Sequence, residues 1–121
     1  MTLDIEDVIG RMNLALRDIA GADVPLLSRY GEAKARAVAQ YADLIADAYA
    51  SGALDDDDMK REIEEIEYMT RRFTRNLKGF AGVTSERATR AALGVLFGAM
   101  RAGLSFAGSP LPRSLIGRSE L

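Results

Sequence analysis

The sequence predicts an all-α fold, with a four-helix, bundle-like domain over residues 1–108 and an extended C-terminal arm over residues 109–121. Three observations lead to this fold class: apolar residues recur in steps of three and four, Gly and Pro separate the periodic segments, and charges match the ends of helices. The predicted helices cover about residues 3–20, 24–51, 55–79 and 85–107.

The third predicted helix is the clearest one. Its apolar residues form a single stripe that consists of Met59, Ile63, Ile66, Met69, Phe73, Leu77 and Phe80. Four Asp residues at 55–58 lie where free backbone N–H groups and the positive end of the helix dipole favour carboxylates. The opposite end, where backbone carbonyls favour positive charge, carries Arg71, Arg72, Arg75 and Lys78. Gly79 follows as the expected stop of this helix.

The other three helices have recognisable starts. Side-chain oxygens at a helix start accept hydrogen bonds from backbone N–H groups, and a proline is tolerated in the first turn. The expected starts are Thr2 or Asp4 for the first helix, Asp23 with Pro25 for the second, and Thr84 or Ser85 for the fourth.

The fourth predicted helix differs from the others because it is apolar and rich in glycine. Arg101 is the only charged residue between positions 91 and 108. Gly94 and Gly98 are four residues apart, a spacing that lets two helix backbones approach closely, with Arg90 and Arg101 beyond them. This face has three candidate roles: a helix–helix contact inside the fold or in an oligomer, a membrane-inserted helix, and a site for phosphate or another anion.

Two prolines define the arm. Pro110 and Pro112 cannot continue a helix, so the segment is expected to run extended. Leu111, Leu115 and Ile116 are apolar residues that a free polar tail would not need. The arm is therefore expected to dock, either on its own domain or on a neighbouring subunit, where these three residues would form part of an oligomer contact.

The composition removes most catalytic chemistry. The chain has no Cys and no His, and so it lacks thiolate nucleophiles, zinc-thiolate sites and the commonest general base. The best remaining metal-binding pattern places Glu62 with Glu65, or Glu64 with Glu67, opposite Asp43 and Asp47, but carboxylates with this spacing are usually solvated helix faces. We expect no enzymatic activity, no cofactor and no metal site.

Charge is divided unequally along the chain. Residues 1–70 contain 7 Lys and Arg against 16 Asp and Glu, a formal charge of −9, whereas residues 71–121 contain 9 against 2, a charge of +7. The net charge of −2 therefore hides a strong dipole, which favours either stacking of identical subunits or attraction of an anionic partner. The residues expected to contact an anionic partner are Arg71, Arg72, Arg75, Lys78, Arg87 and Tyr68.

These patterns favour a non-enzymatic structural protein that self-associates through charge-complementary halves and the glycine-containing helix face. The general character is typical of repeated subunits of an assembly, including bacteriophage virion or accessory proteins. Two alternatives stay open: a membrane-active protein that uses residues 84–108, and a nucleic-acid-binding protein that uses the basic half. The acidic start lacks the features of a signal peptide, which predicts a cytoplasmic protein, or a virion component if the chain is phage-encoded.

Overall fold

Five α-helices make up most of the chain that the structure describes. The computed structural model describes residues 2–20, 29–77 and 82–116, with the backbone alone at 20, 29, 30, 82 and 83. The helices are α1 (Ile5–Ala20), α2 (Arg29–Ala50), α3 (Asp56–Arg75), α4 (Gly82–Phe106) and α5 (Arg113–Ile116). The all-α prediction is confirmed, and α1 to α4 are the four predicted helices. The expected start of the second helix at Asp23 and Pro25 lies outside the described residues.

Successive helices run antiparallel, in an up-down-up-down arrangement. The start of α1 meets the last turns of α2, where the backbone N–H of Leu3 donates to Oδ1 of Asp43 at 2.8 Å. The end of α2 meets the start of α3, where the hydroxyl of Tyr49 donates to Asp56 at 2.7 Å. The start of α1 also lies against the end of α4. One end of the bundle therefore holds the starts of α1 and α3 and the ends of α2 and α4.

The helix starts follow the predicted chemistry at two of the three described positions. Oδ1 of Asp4 accepts the backbone N–H of Asp7 at 3.2 Å, so Asp4 caps α1. Asp55 caps α3 with a reciprocal capping box, in which its side chain accepts the N–H of Asp58 at 2.8 Å. At the other end α3 stops at Arg75, four residues before the expected Gly79, which lies outside the described residues.

The start of α4 differs from the prediction. The helix begins at Gly82, so Thr84 and Ser85 lie within it and do not cap it. The carbonyl of Ser85 accepts the hydroxyl of Thr89 at 2.9 Å, and Oγ1 of Thr89 lies 2.5 Å from Oγ1 of Thr74 on α3. These buried hydroxyls satisfy one another, because buried polar groups without partners are costly. Ser85, one of the two expected starts, is thus buried within α4, and Thr89 one turn later makes the contact with α3.

The core lies between the four long helices. The predicted stripe of α3 is buried at Met59, Ile63, Ile66, Phe73 and Leu77, and half-buried at Met69, whereas Phe80 lies outside the described residues. The larger core residues of the other helices are Val8, Met12, Leu16, Val38, Ile45, Leu93, Leu96, Phe97, Met100 and Leu104. Burial of these side chains is the main source of stability for the fold.

The apolar face of α4 is part of this core, which bears on the membrane hypothesis. Leu96, Phe97, Met100 and Leu104 have no exposed surface, so lipid could reach them only if the bundle opened. Within the described ranges, no helix combines the length and the apolar character needed to cross a bilayer. The apolar residues of α4 on which the membrane hypothesis depends therefore pack inside the bundle, and the hypothesis itself stays a prediction.

The C-terminal segment is extended only in part. Residues 109–112 are not helical, but α5 begins directly after Pro112, and the backbone N–H groups of Leu115 and Ile116 donate to the Pro112 carbonyl at 3.0 and 3.2 Å. A proline needs no backbone N–H at a helix start, so Pro112 favours this turn. Leu115 is completely buried and α5 packs against α3. Residues 109–112 are non-helical as expected, α5 interrupts the extended arm predicted over residues 109–121, and the described part of the arm docks on its own domain.

Candidate functional site

Arginines of α3 and α4 gather at one end of the bundle. We call this the basic end; its residues are Arg71, Arg72 and Arg75 near the end of α3, and Arg87 and Arg90 in the first half of α4. Arg71 lies 3.8 Å from Glu86 in a surface ion pair that joins the two helices. Among the residues that the structure describes, no carboxylate lies within 4.0 Å of the other four arginines. Lys78, predicted to belong to this group, lies outside the described residues.

Tyr68 and Arg72 form an exposed aromatic and cationic pair on the α2 side of the basic end. The guanidinium carbon of Arg72 lies 5.7 Å from the centre of the Tyr68 ring, within the range of a cation–π contact, and Tyr68 is 54% exposed. Beside them is a pocket of about 220 Å³, which we call the α2/α3 pocket. Its lining residues are Lys34, Ala37, Val38, Glu65, Tyr68, Met69, Arg72, Phe73 and Asn76. Cations and an aromatic ring thus surround an apolar floor.

Carboxylates gather at the opposite end, which we call the acidic end. It holds Asp4 and Asp7 at the start of α1 and three Asp residues at 55–57 at the start of α3. Ser109 and Pro110 lie beside this second group. The end also carries Phe106, the last residue of α4, which is 94% exposed. An almost fully exposed phenylalanine beside carboxylates is unusual for a side chain that serves the fold alone.

The antiparallel arrangement turns the division of charge along the sequence into a division between two ends of the molecule. The acidic start of α3 and its basic last turns lie at opposite ends, and α4 begins beside the basic end of α3. The sequence predicts a difference in charge between the two halves of the chain, but the direction of the charge dipole in the molecule depends on how the helices pack. The up-down order of the four helices is what places the acidic and basic residues at opposite ends of the bundle.

The glycine face of α4 lies beside α1 and has an open side. Gly94 and Gly98 line a groove of about 860 Å³ between the two helices. A Cβ built on Gly98 would meet nothing closer than Nη2 of Arg101 at 4.0 Å, so no backbone packs closely there. Close packing occurs instead at Gly103, where a Cβ would lie 2.6 Å from the carbonyl oxygen of Thr2. Close packing inside the fold is thus seen at Gly103 and not at Gly98, and a helix contact at Gly94 and Gly98 in an oligomer stays a prediction.

The other residues predicted to form an oligomer contact differ in how far they are buried within their own domain. Nη1 of Arg101 donates to the carbonyl of Leu115 at 3.1 Å, which ties α4 to α5 in the same subunit. Leu115 is buried and Leu111 half-buried against the core of their own domain. Arg90 is exposed, and Ile116 is 56% exposed. Of the three apolar arm residues, Ile116 offers the most surface to a neighbour.

Three of the carboxylates considered for metal binding have structural roles. Asp43 accepts the backbone N–H of Leu3, and Asp47 accepts the hydroxyl of Thr2, so both hold the segment before α1. Oε1 of Glu62 accepts the hydroxyl of Tyr41 at 2.8 Å. Burial and this hydrogen bond raise the pKa of Tyr41 to about 12. The described part of the chain contains no cluster of three side chains suited to hold a metal ion.

Comparisons with known proteins identify no relative of this chain. The chain matches no protein-family model, and searches of curated proteins and of solved structures return no significant match. The function is therefore argued from the geometry and charge of the two ends.

Proposed function

We propose that this chain is a non-enzymatic structural subunit that self-associates, with the acidic end of one copy against the basic end of the next. The observation that carries the proposal is the placement of opposite charges at opposite ends of one bundle. Arg75, Arg87 and Arg90 have no ion-pair partner among the described residues, and the side chain of Asp57 has none either. Each end therefore offers charge that no described residue of the same subunit pairs with.

A contact between two different ends is heterologous. Such a contact leaves one acidic end and one basic end free after each addition, so it builds rings if the rotation closes and filaments if it does not. The attraction acts between exposed groups, and salt screens it over about 10 Å at 0.1 M. Association should therefore weaken as salt rises. A bacteriophage virion or accessory structure would be one setting for such a repeated subunit.

The test is the mass of the purified chain by light scattering after size exclusion, at low and at high salt. We expect oligomers of the 13.1 kDa subunit at low salt and smaller species at high salt. The double variant Arg75→Glu/Arg87→Glu should lower the mass at low salt, because it places carboxylates at the basic end. The control Lys60→Glu/Arg113→Glu changes the net charge equally at exposed positions away from that end and should retain the oligomers. A monomer under all salt conditions would overturn the proposal.

Nucleic-acid binding is the second candidate function, and the pair of Tyr68 and Arg72 is the observation that favours it. An exposed aromatic ring among arginines suits a single-stranded sugar-phosphate backbone, whose bases stack on aromatic faces. The acidic end would repel the same ligand, which limits binding to one end of the molecule. Fluorescence anisotropy with a labelled single-stranded oligonucleotide at low salt distinguishes the two functions. Tight binding that falls steeply with salt, by a chain that is monomeric alone, would favour this second candidate.

A further inference from the structure

We infer that Phe106 of one copy docks in the α2/α3 pocket of the next copy, so that an apolar contact fixes the position of the charged ends. This inference rests on the proposed self-association and identifies the surfaces that make it. The occupant of the pocket is thus a second copy of this chain, and the contact is heterologous, between an aromatic side chain at the acidic end and a pocket at the basic end.

Phe106 has the properties of a docking side chain. It is 94% exposed, whereas Leu104 and Met100, two and six residues earlier in α4, are completely buried. The fold therefore gains almost nothing from the ring of Phe106. Asp4 and Asp7 share the rim of the adjacent groove with it, so the exposed ring is accompanied by negative charge.

The α2/α3 pocket has the complementary properties. Its floor contains Val38, Met69 and Phe73, and its volume of about 220 Å³ gives room for one aromatic side chain. Lys34 and Arg72 stand on the rim together with one carboxylate, that of Glu65. Arg75 follows one turn after Arg72 on α3 and adds positive charge at this end. An aromatic ring that lines the same groove as Asp4 and Asp7 therefore meets an apolar floor inside a mainly cationic rim.

Single variants of the two surfaces test this arrangement. Phe106→Ser removes the docking ring, and Ala37→Glu fills the pocket mouth with a charged side chain at an exposed position. Each variant alone should be monomeric at a concentration where the wild type is oligomeric. The control Leu44→Ser also removes an exposed apolar side chain, 62% exposed on α2, and should retain the oligomers. Circular dichroism and thermal unfolding confirm that each variant keeps the helical fold.

A mixture of the two variants gives the sharpest outcome. The Phe106→Ser copy keeps an intact pocket and the Ala37→Glu copy keeps an intact ring, so an equal mixture should form dimers that grow no further. Failure of the mixture to dimerise would overturn the inference, because the intact ring of one copy would then not bind the intact pocket of the other. Unchanged oligomers in either single variant would also overturn it and leave the proposed self-association standing. A monomeric wild type would instead remove the proposed function itself.

Discussion

The backbone N–H of Leu3 donates a hydrogen bond to Oδ1 of Asp43 at 2.8 Å, although the two residues are 40 positions apart in the sequence. Both residues are buried. The adjacent Thr2 donates to Asp47, one helical turn further along α2, and presses its backbone against Gly103 of α4. Two carboxylates of α2 thereby fix the segment that leads into α1 and close the acidic end of the bundle.

Asp43→Ala should therefore destabilise the domain by about 2 kcal/mol, because a buried N–H of Leu3 loses a charged acceptor. Asp43→Asn keeps an acceptor oxygen and should lose less. The measurement is the free energy of unfolding from urea titration. The control is Asp57→Ala, an exposed carboxylate, which should change stability by no more than about 0.5 kcal/mol. Equal losses in the two alanine variants would show that the Leu3 contact contributes little.

Two glycines of α4 should respond in opposite directions to the same substitution. Gly103→Ala places a Cβ 2.6 Å from the Thr2 carbonyl oxygen and should cost about 1–3 kcal/mol, because backbone must move. Gly98→Ala has room, with Arg101 Nη2 at 4.0 Å, and should stabilise the helix by up to about 1 kcal/mol. Thermal unfolding of the two variants gives the comparison. Gly10→Ala, which meets nothing within 4 Å, is a second position where stabilisation is expected.

Leu115→Ala should destabilise the domain by about 2–5 kcal/mol, the usual range for a truncated core leucine. Leu115 is completely buried although it lies in a four-residue helix outside the main bundle. Its neighbour Ile116 is 56% exposed, so Ile116→Ala is a matched control that should cost about 0.5 kcal/mol or less. The comparison is made from the free energies of unfolding of the two variants, measured by urea titration. Similar stabilities for the two variants would mean that α5 is not part of the cooperative fold.

Stability should fall in the alkaline range because of Tyr41 and Tyr49. Burial, together with hydrogen bonds to Glu62 and Asp56, raises the pKa of each phenol from 10.0 to about 12. Above pH 10 the unfolded chain releases these protons before the folded chain does. The stabilising contribution is therefore complete below pH 10 and is lost as pH rises through about 12.

The measurement for this prediction is the free energy of unfolding as a function of pH. Tyr41→Phe/Tyr49→Phe should show a smaller decrease between pH 10 and 12 than the wild type. The ultraviolet absorbance of tyrosinate gives an independent readout, since the double variant should lack the two groups that ionise near pH 12. The same alkaline decrease in both proteins would contradict the assignment.

The sequence was sufficient for features that depend on nearby residues. The stripe of α3 and its acidic start follow from spacing and from the helix dipole, and the structure buries the stripe from Met59 to Leu77 as expected. Thr84 and Ser85 have side chains typical of a cap, but α4 already begins at Gly82 and Ser85 is buried within it. Local pattern cannot distinguish a capping hydroxyl from one that packs against another helix.

Long-range contacts account for the other differences. Nothing near Asp43 in the sequence indicates that its acceptor oxygen serves Leu3. Pro112 cannot continue a helix, but its lack of an N–H makes it a suitable helix start once Leu115 has a place in the core. The two candidate surfaces follow only partly from the sequence. The charge pattern indicates the arginines and Tyr68, whereas the exposure of Phe106 and the presence of the α2/α3 pocket depend on how the helices pack.

The separation of charge between two ends also affects how the molecule behaves on a chromatography resin. A formal net charge of −2 suggests weak retention on any ion exchanger. A surface, however, contacts only the side of a protein that faces it. The basic end can bind a sulfonated resin while the acidic end binds a quaternary-ammonium resin at the same pH. The protein should be retained on both media, held in opposite orientations.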